Sequence, residues 1–328
     1  VVTAISNTQR YQSRYALYEQ FEKYIADSGA ILYTVEASFG DRPHVITKPD
    51  NPRHIRVHSH DLQEIWQKEC LLNIGISRLP PSAKYIAWID ADVAFARPDW
   101  VDETIHQLQH YHFVQLFSHA IDLDPSHEPY NSGKGEVQSG FVAGYQDWVH
   151  EGQPADMVPG YGRKDVVQEG YQSSMTSYYL HPGFAHAARK EALSSVGGLM
   201  DFSGLGSSDH LMAWGLVGRM HEVLKPNLHP VYREWCLRWQ ELAERHIRRN
   251  IGYVPGTLLH MWHGPKEARR YNDRWDILTT YAFNPATDLK RDHQGLYQLE
   301  HDGSLRSTLL REHMRNYFAG RKEDAQYL

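Results

Sequence analysis

The chain has 328 residues, 41% of them hydrophobic and 23% charged, with a formal net charge of -6. That balance supports one large α/β domain, or one domain with an appendage, and excludes a disordered tail. It leaves no global basic field for nucleic acid. Two cysteines far apart in sequence, Cys70 and Cys236, argue against a disulfide framework. No apolar run approaches a membrane span and no charged-then-apolar leader is present, so a soluble, cytoplasmic protein without a membrane partner is expected.

Val1 to Ile5 reads as a buried strand, and the polar Ser6-Asn7-Thr8 turn is placed to cap a helix from Arg10 to Ser28. Gly29 ends that helix, Ala30 to Val35 is a second strand, and Ile55 to Val57 a third. His60 to Leu79 is expected as a helix with Ile65, Leu72 and Ile76 on its apolar face. Lys84 to Ile89 and Phe113 to Phe117 are short apolar strands. From Asp122 to Ser174 the pattern breaks into a stretch rich in Gly, Tyr, Gln and Pro, expected as a long functional loop. Strand character resumes at Tyr178 to Ala188. Helices are expected at Lys190 to Val196, Asp209 to Val217, Arg233 to Asn250 and Leu305 to Phe318. Strands alternating with helices predict an α/β fold with a doubly wound, mainly parallel sheet flanked by helices. Residues 1–280 are taken as the main domain, with 122–174 as a loop on its acceptor side, and 281–328 as a C-terminal helical extension.

Three clusters carry chemistry. Asp90-Ala91-Asp92 closes an apolar strand, where open α/β sheets bind ligands, and two carboxylates there suit Mg²⁺ or Mn²⁺. A second such triplet, Asp122-Leu123-Asp124, is followed at once by proline and reads as a turn away from that point. His260-Met261-Trp262-His263-Gly264 offers two imidazoles for a mixed nitrogen and oxygen shell, and the cations Lys266, Arg269 and Arg270 follow. Gly204-Leu205-Gly206-Ser207-Ser208-Asp209-His210 runs into a helix, so Asp209 is either a helix cap or a carboxylate placed as a base.

The order of these clusters resembles the GT-A glycosyltransferases, and the β-1,4-galactosyltransferase family in particular. Trp66 to Gly75, with Leu71-Leu72-Asn73-Ile74-Gly75, is similar to that family's Leu-Leu-Asn-Val-Gly helix. Asp90-Ala91-Asp92 stands for its Asp-Val-Asp, Gly204 to Asp209 for its Gly-Trp-Gly-Gly-Glu-Asp, and His260-Met261-Trp262-His263 for its Met-x-x-His. This chain departs from the family at Ser208, His210 and His260, which bears on the sugar and the acceptor.

The resemblance implies Asp92, His260 and His263 as ligands of Mn²⁺ or Mg²⁺ and a nucleoside-diphosphate sugar, UDP-sugar favoured, as donor. Ser6, Glu36, Lys68, Asp90, Lys266 and Arg270 fall on the donor side. Asp209 becomes the base of an inverting transfer to an acceptor hydroxyl. Tyr145, Trp148, Tyr161 and Tyr171 in the long loop either stack on the acceptor or anchor the loop. The run Gly252 to Gly264 is also similar to glycosyltransferase-like proteins of bacterial viruses. That likeness implies a hydroxymethylated pyrimidine of DNA as acceptor and the host cytoplasm as location. Arg245, His246, Arg248 and Arg249 either touch a nucleic-acid backbone or form a solvated face. A glycan or small-molecule acceptor, a nucleotidyltransferase and a catalytically silent binding module stay open, whereas a metal hydrolase is discounted because His260-x-x-His263 lacks a helical His-Glu-x-x-His arrangement.

Overall fold

The computed structural model describes residues 1–130, 137–150, 180–271 and 273–325. The chain begins β1 (Val2–Ser6), α1 (Gln12–Asp27), β2 (Tyr33–Phe39), β3 (His54–Ser59), α2 (Lys68–Ser77) and β4 (Tyr85–Ile89). β1, β2 and β3 pair in parallel, and β4 joins the other side of β1, also in parallel. The winding therefore reverses between β1 and β4, which leaves a crevice outside their carboxyl ends.

Next come β5 (Val93–Phe95), α3 (Trp100–His110), β6 (Phe113–Gln115), β7 (His119–Asp122), β8 (Val137–Gly140), α4 (Phe141–His150), β9 (Leu180–His181) and β10 (Ala185–Arg189). After α5 (Lys190–Ser195), α6 (Ser208–Leu216) and α7 (Pro230–His246) the chain forms β11 (Ile251–Tyr253) and β12 (Thr257–His260). It closes with α8 (Asp273–Thr280), α9 (Pro285–Asp288), β13 (Leu289–Arg291), β14 (Tyr297–Leu299) and α10 (Leu305–Ala319). The main sheet has the order β11-β6-β10-β4-β1-β2-β3, with β10 antiparallel to both its neighbours. A second sheet has the order β5-β12-β7-β8-β9. The fold is thus mixed α/β, with a mostly parallel sheet flanked by helices.

Core residues lie on both faces of the main sheet, as the apolar strands require. Phe21 and Ile25 of α1 and Trp100 and Leu108 of α3 fill one cluster. Leu71 and Leu72 of α2, Trp214 of α6 and Tyr232 and Cys236 of α7 fill the other. Residues 281–325 add Phe283, Leu289, Leu296, Met314 and Tyr317 to that second cluster. α2 lies hard against the sheet. A Cβ on Gly75 would stand 2.6 Å from Val2 Cγ1 and 2.7 Å from Val35 Cγ2, so the glycine sets the approach.

The expected helix over 60–79 is shorter, because the Trp66 amide donates to the Gly204 carbonyl at 2.8 Å and holds that segment extended. α1 starts at Gln12, and Asn7 of the expected capping turn fixes the cap residue Tyr11, its Oδ1 accepting the Tyr11 amide at 2.9 Å and its Nδ2 donating to the Tyr11 carbonyl at 2.8 Å. The amides of Gln12 and Ser13 donate to the Asp324 carboxylate, each at 2.9 Å, so a residue from the far end of the chain supplies the anion. The second strand begins three residues later than expected, at Tyr33. Within the stretch expected as a loop, residues 137–150 form β8 and α4, because Phe141, Val142 and Tyr145 enter the core. Cys70 and Cys236 are both free and buried. Among the described residues no helix is long and apolar enough to cross a membrane.

Candidate active site

A cavity of about 1040 Å³ opens at the carboxyl ends of β1 and β4, walled by Ser6, Lys68, Asp90, Asp92, Asp209 and His260 among others. Strand register explains how residues so distant in sequence meet there. β12 lies between β5 and β7, with His260 opposite Val93 on one side and Asp122 on the other. Asp92, immediately before β5, is thereby brought to the end of β12. The Met261 amide donates to the Asp92 carbonyl at 2.8 Å and turns the chain so that His263 follows into the same space.

One ligating atom from each of Asp92, His260 and His263 fits within a sphere of contact in which all lie within 4.8 Å of one another. His263 Nε2 is 2.9 Å from Asp92 Oδ2, and His260 Nε2 is 3.1 Å from His263 Nε2. Burial, with the Arg269 guanidinium beside it, pushes His263 down to about 4, so the ring is neutral and keeps a lone pair at pH 7. Burial alone would raise Asp92, but the facing His263 and His260 outweigh it and hold the carboxyl well below the usual range. Among the described residues, Asp92 Oδ1 is buried without a hydrogen-bond partner. Two imidazoles and a carboxylate with one orphaned oxygen form a donor set that fits a divalent cation. Asp90 plays a different part: its carboxylate is paired with Lys68 Nζ at 2.5 Å, while burial pushes its pKa up against that cation.

On the same cavity, α6 carries Asp209 as its second residue, after Ser207 in the left-handed region at φ 76°. The cap position belongs to Ser207, and among the described residues the Asp209 carboxylate accepts the amide of its neighbour His210, at 2.8 Å. Ser208 turns inward and donates to Ser203 Oγ at 3.0 Å. Asn73 of α2 holds the loop before α6 in place. Its amide donates to the Leu199 carbonyl at 2.9 Å, and its oxygen accepts from the Leu199 amide at 3.0 Å. Behind Asp209 a hollow of about 20 Å³ is walled by Lys68, Glu69, Gly183 and His186. Burial pushes Glu69 up to about 7 and His186 down to about 4.

Cations crowd the end of the cavity beside the triad. Arg269 Nη2 is 2.8 Å from His263 Nε2, and Lys266 Nζ pairs with Asp122. Arg14 donates to the Ser6 carbonyl and, at 2.7 Å, to Glu323 Oε1. Arg321 Nε is 3.0 Å from the same Glu323 oxygen. Glu323 is held well below the usual carboxylate range, burial being outweighed by Arg14 and Arg321. Arg14, Arg321 and Glu323 went unrecognised in the sequence. Arg14 is a lone charge and Arg321 and Glu323 belong to the mixed run Arg321-Lys322-Glu323-Asp324, and only the fold brings that run against α1.

Several expected site residues lie elsewhere. Glu36 is not in the cavity wall. It is buried, and accepts the Val45 and Thr47 amides at 2.7 and 2.8 Å, which organises the loop after β2. Arg270 is exposed, near Asp273 and over the Tyr317 ring, whereas its neighbour Arg269 lines the cavity. Tyr145 is buried in the core, with no ring face open to a ligand, and Trp148 packs half-buried against the same cluster. Both sit on α4, whose apolar side covers the sheet. Tyr161 and Tyr171 lie outside the described residues. Arg245 to Arg249 lead into the amino end of β11, which runs parallel to β6 and β4, so they sit at the opposite end of the sheet from the cavity. Asp122, expected away from the site, touches it directly. Its Oδ1 is 2.7 Å from His260 Nδ1, because β7 and β12 are paired in register there. Asp124 does make the expected turn, accepting the Ser126 amide at 2.7 Å.

No family model and no curated protein matches the chain. Among solved structures, the crystal structure of mouse xyloside xylosyltransferase 1 in its apo form is similar over 79% of this chain and 95% of that one. The identity is 9% and the TM-score 0.24, so the likeness carries no argument about chemistry.

Proposed function

We propose that the chain is a metal-dependent glycosyltransferase of the GT-A type. It moves a sugar from a nucleoside-diphosphate sugar, UDP-sugar favoured, to an acceptor hydroxyl with inversion. The observation that supports this reading is the meeting of Asp92, His260 and His263 in the crevice where the winding reverses, with Asp209 on the same cavity. A volume of about 1040 Å³ leaves room for donor and acceptor together.

Mn²⁺ or Mg²⁺ held by the three ligands would supply Lewis-acid stabilisation to the departing diphosphate. Lys266 and Arg269 stand beside that position and balance its charge. Asp209 accepts the proton of the acceptor hydroxyl as its oxygen bonds to the anomeric carbon. The bond from that carbon to the diphosphate oxygen breaks with its electron pair on the nucleoside diphosphate. Lys68 fixes Asp90 and so the turn that leads to Asp92. The DNA-base acceptor gains no support from Arg245 to Arg249, which lie at the far end of the sheet, so glycan acceptors stand beside it.

The test is a panel of nucleotide sugars with Mn²⁺ or Mg²⁺, assayed for release of the nucleoside diphosphate with and without chelator. One or more donors should be cleaved only with the metal. The unfolding midpoint should stay nearly unchanged on chelation, because the sheet core does not depend on a cation in a crevice. Unfolding by chelator would make the site structural. Release of pyrophosphate from nucleoside triphosphates would favour a nucleotidyltransferase instead.

A further inference from the structure

We infer that Asp122 is the positioning residue of the metal centre, holding His260 in the ligating tautomer and tying that ring to Lys266. The inference rests on the metal reading above. Asp122 ends β7, in register with His260 on β12, and is 2% exposed. Its Oδ1 accepts from His260 Nδ1 at 2.7 Å. With the proton on Nδ1, Nε2 keeps its lone pair, and Nε2 is the atom turned to His263 Nε2 at 3.1 Å and to Asp92 Oδ2 at 3.8 Å. The other oxygen, Oδ2, accepts Gln138 Nε2 at 2.6 Å and Lys266 Nζ.

Each contact has a consequence. A buried carboxylate is costly unless its charge is balanced and its oxygens are bonded, and the lysine and glutamine meet both needs. The carboxylate accepts the Nδ1 proton of the ring, which leaves Nε2 as the nitrogen facing the cation position. Carboxylates behind ligating histidines fix ring orientation and raise ligand basicity, and losing one typically costs 10–100-fold in metal affinity. Lys266 shares the same carboxylate and lines the cavity, so the bond that orients His260 also sets where that cation stands.

Mn²⁺ dissociation constants, measured by titration calorimetry on the full chain, test this. The proteins are the wild type, Asp122→Asn, Lys266→Met, His260→Ala and the doubles Asp122→Asn/Lys266→Met and Asp122→Asn/His260→Ala, with metal-free melting curves for each. Asp122→Asn should weaken Mn²⁺ by roughly 10-fold or more. Lys266→Met, which keeps the carboxylate, should change it by less than about threefold. The Asp122→Asn/Lys266→Met double strands no lysine charge, so it stays folded and should repeat the loss if the single variant does not fold. Once His260 is gone, adding Asp122→Asn should cost nothing further, because the two act as a unit. Asp122→Asn binding Mn²⁺ within about twofold of the wild type, or a fully additive loss in the His260→Ala double, would overturn the inference while leaving the metal site intact. A wild-type chain that binds neither Mn²⁺ nor any other divalent cation would overturn the metal reading itself, and this with it.

Discussion

Replacing Glu69 by glutamine should stabilise the protein above neutral pH and leave it unchanged in acid. Glu69 is 3% exposed on α2, and its Oε2 accepts from Trp66 Nε1 at 2.7 Å, a bond that a glutamine oxygen can keep. Burial is the main cause that pushes it up to about 7, with Lys68 opposing and the nearby Asp209 adding to the rise. The sign follows from proton counts. Between 4.5, the ordinary value, and about 7 the folded chain holds this proton while the unfolded chain has released it. Stability therefore falls as pH rises through that window, and the loss is complete above about 7. A difference of roughly 2.5 in pKa corresponds to about 3 kcal/mol, of which about 2.5 kcal/mol falls between pH 5 and 8. Urea unfolding of wild type and Glu69→Gln at those two pH values isolates this carboxyl, because the other titrating groups are common to both. The gain of the variant over wild type should grow by about 2.5 kcal/mol from pH 5 to pH 8. A gain that is flat with pH to within about 0.5 kcal/mol would refute the buried-carboxyl argument.

Three further outcomes are expected. Asp209→Asn keeps size and the His210 amide contact, so fold and nucleotide-sugar affinity should survive while turnover falls roughly 10²-fold or more; a variant that melts early yet keeps its specific activity would reduce Asp209 to a structural residue. A Cβ on Gly183 would collide with Asp209 Oδ2 at a backbone angle that alanine tolerates. Gly183→Ala should therefore lower turnover by about 10-fold or more with little change in melting temperature, and full activity would show that the carboxylate need not stand where it does. Gly75→Ala should cost about 1–3 kcal/mol in urea unfolding, through the overlap with Val2 and Val35, and a neutral result would mean that α2 can lift from the sheet.

The ends of the strands were the legible part of the site. Asp90-Ala91-Asp92 follows a strand that the apolar run Lys84 to Ile89 already marks, and a carboxylate after such a strand has few places to go. His260 and His263 likewise follow an apolar run. What no local pattern carries is register. The triad exists because His260 pairs with Val93 on one side and with Asp122 on the other, and those pairings are made across the second sheet. The same pairings explain the misplacement of Asp122. A proline after Asp-Leu-Asp does mark a turn, and Asp124 makes it, but the first carboxylate of the triplet is still on the strand.

Charge was legible in amount and not in direction. Lys266, Arg269 and Arg270 form one cluster in sequence, and a 3₁₀ turn from Lys266 to Arg269 splits it. Lys266 and Arg269 face the cavity, while Arg270, at φ 43°, points to solvent. The aromatic residues of α4 failed for a related reason: a ring in a polar stretch reads as a platform, yet an amphipathic helix hides one face, and Tyr145 lies on it. The least legible element is the end of the chain. Residues 281–325 share the core of α2, α6 and α7, and beyond α10 the chain brings Glu323 against Arg14 and Arg321 and Asp324 against the first amides of α1. A Cβ on Gly264 would stand 2.7 Å from the Lys322 carbonyl oxygen, so the glycine beside His263 is what lets this segment approach. The cavity is thus closed on one side by residues whose only signal in the sequence is a pair of acids near its end. Arg321 is their neighbour in sequence, but their other partners are a helix start and Arg14, which no spacing rule connects to them.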